Sequence, residues 1–224
     1  MALKGGSDME VLDRIGACGI VPVVVLEEPG QAVPLARALL AGGIGVAEVT
    51  FRTSAAEESI RRITAEVPEI LVGAGTILNP EQLGRAVDAG ARFIVSPGID
   101  PSSIKKASEL NVPIFPGVVT PSEIMTGLSL GINIFKFFPA GNYGGLKTMK
   151  ALWGPFPGIK FMPTGGVSPS NLPEYLADER VFGVGGSWMC PVKLVREGNY
   201  DEITRLSQEA VKLYDECRGS DSPR

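Results

Sequence analysis

Eight short runs rich in apolar and β-branched residues recur along the chain, at 21–26, 46–51, 70–75, 93–97, 113–118, 134–139, 160–164 and 181–186. Between them lie segments of helical character at 31–41, 54–66, 80–89, 101–110, 121–130, 145–152 and 169–177. These open on Pro or polar residues, and several end at Gly or Asn, as helices do. Runs of strand length alternating with helix-length segments predict parallel strands joined by helical crossovers. Eight such units predict a (β/α)8 TIM barrel, an α/β fold of about 250 residues. The 224-residue chain fits one such domain over 1–224, with the barrel itself at about 20–213. An extra N-terminal helix near 9–18 and a last helix near 200–217 bracket it, and 218–224 read as a flexible, solvated tail. An open doubly wound sheet is the rival architecture, but no Gly-x-Gly-x-x-Gly follows the first run, and no shift in composition marks a second domain.

The absence of one residue type narrows the chemistry. There is no histidine, so the usual general base, the usual zinc ligand and the Ser-His-Asp route are all missing. Carboxylate, lysine, hydroxyl or backbone must do the work, and no metal site is expected. A net charge of −4 and the lack of any basic run argue against a nucleic-acid partner. Three scattered cysteines, Cys18, Cys190 and Cys217, suit a reducing cytoplasm rather than a disulfide framework. Met1 to Arg14 contain no apolar signal-like core, and no run of ~18 apolar residues occurs, so neither a secretory leader nor a membrane span is expected.

The sixth run, Ile134-Phe135-Lys136-Phe137-Phe138-Pro139, sets a lysine amid aromatic residues. An amine kept from water by apolar neighbours sheds its proton more readily, which frees it to attack a carbonyl. A lysine whose stem packs on aromatics while its ammonium reaches a carboxylate would look the same locally. The second run adds Glu48, Thr50 and Arg52 on one face, opposite Ala47, Val49 and Phe51. In a barrel the apolar face packs on helices, so Glu48 is expected to point inward and relay protons, and Arg52 to grip a carboxylate. A purely structural Glu-Arg ion pair is the competing reading of this run.

Further polar groups fall where strands should end, the side on which barrel active sites form. Gly73-Ala74-Gly75-Thr76 closes the third run and Val95-Ser96-Pro97-Gly98 the fourth. Thr164-Gly165-Gly166 and Gly185-Gly186-Ser187 follow the seventh and eighth, where such barrels hold phosphate with backbone N–H groups.

Taken in order, these motifs resemble the 2-keto-3-deoxy-6-phosphogluconate aldolase family, including bifunctional members that also cleave 4-hydroxy-2-oxoglutarate. The resemblance runs from about residue 20 to 213 and also rests on Val21-Pro22-Val23-Val24, Phe135-Lys136-Phe137-Phe138-Pro139-Ala140, Pro163-Thr164-Gly165-Gly166-Val167 and Gly185-Gly186-Ser187-Trp188. It implies a cytoplasmic lyase of the Entner–Doudoroff branch of carbohydrate metabolism, usually a homotrimer, with small keto-acid substrates, no cofactor and no metal. By the same resemblance Lys136 is the Schiff-base lysine and Glu48 the general acid/base. Arg52 and Thr76 bind the pyruvate carboxylate and neighbouring oxygens, and Pro97 and Phe138 wall the pocket. Thr164, Gly165, Gly166, Gly185, Gly186 and Ser187 hold phosphate. Some members carry an arginine late in the first strand where this chain has Val25, and Gly141-Asn142-Tyr143 stands where relatives often place an acidic residue. On the residues alone, a phosphosugar isomerase or epimerase barrel and a non-catalytic sugar-acid-binding barrel remain alternatives.

Overall fold

The computed structural model describes residues 6–219. Helix α1 (Gly6–Cys18) leads into β1 (Ile20–Val24), α2 (Ala32–Ala41), β2 (Val46–Thr50), α3 (Ala56–Glu66), β3 (Leu71–Gly75), α4 (Pro80–Asp88), β4 (Ile94–Val95) and α5 (Pro101–Glu109). The chain continues through β5 (Ile114–Phe115), β6 (Gly117–Val118), α6 (Pro121–Ser129), β7 (Ile134–Phe137), α7 (Gly145–Trp153), β8 (Lys160–Pro163), α8 (Leu172–Leu176), β9 (Val184–Gly186), α9 (Val192–Arg196) and α10 (Tyr200–Arg218). Three helices start by one device. Asn79, Asp100 and Thr120 each cap the backbone with a side-chain oxygen, and each is followed by a proline whose missing N–H costs nothing at the first helical position.

All strand pairings are parallel, in a six-stranded sheet ordered β5-β4-β3-β2-β1-β9 and a three-stranded sheet ordered β6-β7-β8. The strands curl into arcs of a half-barrel. The run expected at 113–118 is split at Pro116, which has no N–H for a ladder, although its carbonyl still accepts from Lys136 N at 3.0 Å. At the other end of the short sheet, isolated bridges join Phe161 to Val181 and Thr164 to Gly185. Short α9 was not foreseen, and the segment expected at 169–177 narrows to Leu172–Leu176. Arg218 belongs to α10, where its guanidinium donates to the carbonyls of Asp178 and Val181. Positions 220–224 of the expected tail lie outside the described residues.

Side chains sort by face as strand alternation demands. Phe135 packs against Gly127 of α6. Phe137 and Trp153 of α7 both meet Phe161, with ring centroids 5.5 Å apart in each pair. Facing the other way, Lys136 lies between Gly117 on β6 and Met162 on β8, and Glu48 lies beside Gly73 on β3. At the N-terminal ends of the strands Phe93 meets Phe115 edge to face, Phe115 stacks on Phe182, and Gly16 of α1 closes on Phe182.

Candidate active site

Lys136 and Glu48 meet inside the curl. Their exposures are 4% and 0%, and Lys136 Nζ stands 3.5 Å from Glu48 Oε1. Glu48 Oε2 is buried and makes no hydrogen bond within the protein. A buried carboxylate normally has both oxygens satisfied, since an unpaired one carries a desolvation penalty. This pair therefore keeps one proton-accepting atom uncommitted beside an amine, an arrangement suited to acid–base work. Phe138 covers the lysine, with its ring centroid 5.0 Å from Nζ. Backbone crowding shapes the same wall: a side chain at Gly117, the β-partner of Lys136, would collide with the Pro97 carbonyl.

Arg52 reaches the site differently from the alternation expected of it. Strand β2 ends at Thr50, whose hydroxyl donates to Val24 O at 2.9 Å and ties β2 to β1. Arg52 lies in the turn beyond, exposed, and its Nε donates to Thr76 Oγ1 at 3.2 Å. Thr76 adopts φ +58°, a left-handed conformation unfavourable for a β-branched residue. Such strain is held where the surroundings demand it.

The two glycine turns adjoin. Gly165 and Gly166 have φ of +87° and +81°, values that side chains disfavour. Gly165 also lies against Phe138 and Pro139, so Phe138 links the lysine to this turn. Thr164 bridges to Gly185, where a side chain would strike the Thr164 hydroxyl. Ser187 is exposed at the start of the next loop, and its carbonyl accepts from Cys190 N. The Gly141-Asn142-Tyr143 loop docks here through Gly141 N, which donates to Gly165 O at 2.9 Å. Asn171 was not anticipated from the sequence. Its amide donates to Gly166 O and its side-chain oxygen accepts from Ser168 N, which pins the far side of the turn, and a lone Asn after Ser-Pro-Ser gives no sign of that role.

Other reactive groups nearby are quiet. Burial pushes the Cys190 thiol up to about 12, which leaves it protonated and a poor nucleophile. Beyond Val25, Glu27 is held below the ordinary carboxylate range by its hydrogen bonds to Arg196 of α9. Among the described residues no group of three or more His, Cys, Asp or Glu side chains could hold a metal ion, and no helix is long and apolar enough to cross a membrane.

Comparison with known proteins matches the chain to one family. The sequence model of KDPG and KHG aldolases covers residues 11–206. The chain belongs to this aldolase family. It is 49% identical over 193 residues to the KHG/KDPG aldolase of Escherichia coli K12, covering 86% of this chain and 91% of the relative. Identity to the 2-dehydro-3-deoxy-phosphogluconate aldolase of Dickeya dadantii is also 49%, over 86% of this chain and 90% of that one. The structure superposes on the KDPG aldolase of Legionella pneumophila, in which pyruvate was captured at low pH as a covalent carbinolamine, with a TM-score of 0.86. That match has 43% identity and covers 90% of this aldolase and 97% of the other chain.

Proposed function

We propose that this aldolase cleaves 2-keto-3-deoxy-6-phosphogluconate to pyruvate and glyceraldehyde 3-phosphate, and 4-hydroxy-2-oxoglutarate to pyruvate and glyoxylate, through a Schiff base on Lys136. The observation that carries this reading is the buried amine 3.5 Å from a buried carboxylate with one uncommitted oxygen. Lys136 Nζ adds to the keto carbon, and Glu48 delivers the proton with which the carbinolamine loses water. The iminium then accepts the electron pair of the C3–C4 bond as Glu48 takes the C4 hydroxyl proton. The aldehyde departs, and the enamine is protonated at C3 and hydrolysed to pyruvate. Arg52, steered by Thr76, holds the keto-acid carboxylate; Pro97 and Phe138 wall the pocket; Thr164, Gly165, Gly166, Gly185, Gly186 and Ser187 receive the phosphate through backbone N–H groups and hydroxyls.

This reading extends to the architecture. The bridges from Phe161 to Val181 and from Thr164 to Gly185, together with the Pro116 carbonyl bond, support closure of the two sheets into a single-domain (β/α)8 barrel with α1 as an extra helix under its floor. A cytoplasmic homotrimer is the assembly we expect, and Met125 and Leu128, exposed one turn apart on α6, offer an apolar patch for it.

Incubation with pyruvate and borohydride, followed by intact-mass and peptide mapping, tests the mechanism. One reduced pyruvate per chain on Lys136 is the expected result. A folded protein that takes up none, or takes it up on another lysine, would overturn the assignment and favour an isomerase-type barrel.

A further inference from the structure

We propose that Gly75 is a positioning residue for catalysis, present because the carboxyl group of Glu48 occupies the space its side chain would fill. The inference rests on the aldolase reading of Glu48 and Lys136 and adds a residue to it. Gly75 is the last residue of β3, and its backbone is not left-handed, so its conformation alone does not require glycine. Space does. A methyl group at position 75 would overlap Glu48 Oε1 and stand 2.6 Å from both Cγ and Cδ of Glu48.

The same face of β3 shows the pattern twice. Two residues earlier, a methyl group at Gly73 would stand 2.5 Å from the ring of Phe93. One glycine thus admits the aromatic floor and the next admits the carboxylate, while Ala74 between them faces away. Strand β3 forms a shelf with no side chain at either point. The overlap reaches Cγ and Cδ of the buried Glu48 as well as its carboxyl oxygen, so turning the carboxyl group alone would not relieve it. The Lys136–Glu48 separation of 3.5 Å already lies at the outer limit of a hydrogen bond, so small displacements break it.

The test is a double-mutant cycle of Gly75→Ala and Glu48→Ala in the full chain, read by kcat, KM and thermal midpoint. Gly75→Ala is expected to lower kcat by about 100-fold, the cost of misplacing a catalytic group by about an ångström, with KM for the keto-acid substrate little changed. Glu48→Ala is expected to lower kcat by about 1,000-fold, and adding Gly75→Ala to it should lower kcat no further. A general packing defect would instead multiply the two losses, and that result, or a Gly75→Ala enzyme of native kcat, would overturn the proposal. Should Gly75→Ala alone fail to fold, the double variant decides. Recovery of the fold once Glu48 is truncated supports the steric pairing, and continued failure refutes it. Native activity in Glu48→Ala would refute the acid–base role itself, an outcome distinct from failure of Gly75.

Discussion

At the C-terminal ends of the strands the molecule buries a lysine against a carboxylate that leaves one oxygen unbonded, and it holds Thr76 in a left-handed conformation. Glycine turns there approach each other closely. At the N-terminal ends the polar side chains hold the chain together, with Arg218 donating to the Asp178 and Val181 carbonyls while its buried Nε has no hydrogen-bond partner. Arg180 forks onto Asp178 at 2.9 and 2.8 Å and lies over Trp153 at 4.2 Å, and the indole N–H of Trp153 donates to Ile159 O. Phe93, Phe115 and Phe182 meet ring to ring there. The contrast teaches that one α/β fold divides its labour by depth. The aromatic floor supplies stability, and that surplus lets the mouth keep the strained Thr76 and the uncommitted Glu48 oxygen where the proposed substrate would land.

Truncating the floor should separate the two roles most sharply. Phe115→Ala removes a ring of 1% exposure that touches both neighbouring phenyl groups, and a loss of about 3–5 kcal/mol in unfolding free energy is expected. Borohydride trapping by the fraction still folded should nonetheless occur on Lys136. Chemical denaturation monitored beside adduct yield checks this, and adduct loss out of proportion to unfolding would erase the division.

A mouth variant should behave in the opposite sense. Thr76→Gly relieves the left-handed strain, so stability should hold or rise by about 1 kcal/mol. Loss of the hydroxyl that accepts from Arg52 should raise KM for the keto acid several-fold. Thermal midpoint and steady-state kinetics together test the pair of effects, and a clear fall in stability would contradict them.

The smallest expected effect is a pH dependence confined to the floor. The hydrogen bonds from Arg180 hold the Asp178 carboxyl below its ordinary value. Asp178 therefore adds stability that is present above about pH 4 and fades as pH falls through the lowered folded-state value. Asp178→Asn should flatten that part of the acid limb of stability without altering kcat at neutral pH, as denaturation at a series of acidic pH values would show.

Local pattern carried much of this. Alternation placed Phe135 and Phe137 on the face opposite Lys136, and Ala47 and Val49 opposite Glu48, because strand periodicity is a property of the backbone alone. The helix starts at Pro80, Pro101 and Pro121 were legible too, because proline suits the first helical position. Arg52 was harder to place: extrapolating the strand one pair too far hid the turn after Thr50, and only the contact with Thr76 sets its direction. Asn171, short α9 and its Arg196–Glu27 pair left no periodic trace.

The sequence by itself determined the alternation of strands and helices, the two faces of the second and sixth runs, and the presence of an amine and a carboxylate among apolar residues. Only the tertiary structure decided that Lys136 and Glu48, 88 residues apart, stand 3.5 Å from each other, and that Gly75 is empty because Glu48 is there. The reason is physical. Periodicity and capping act over a few residues, whereas these distances depend on strand register and sheet curvature, which arise only when segments far apart in the chain pack together.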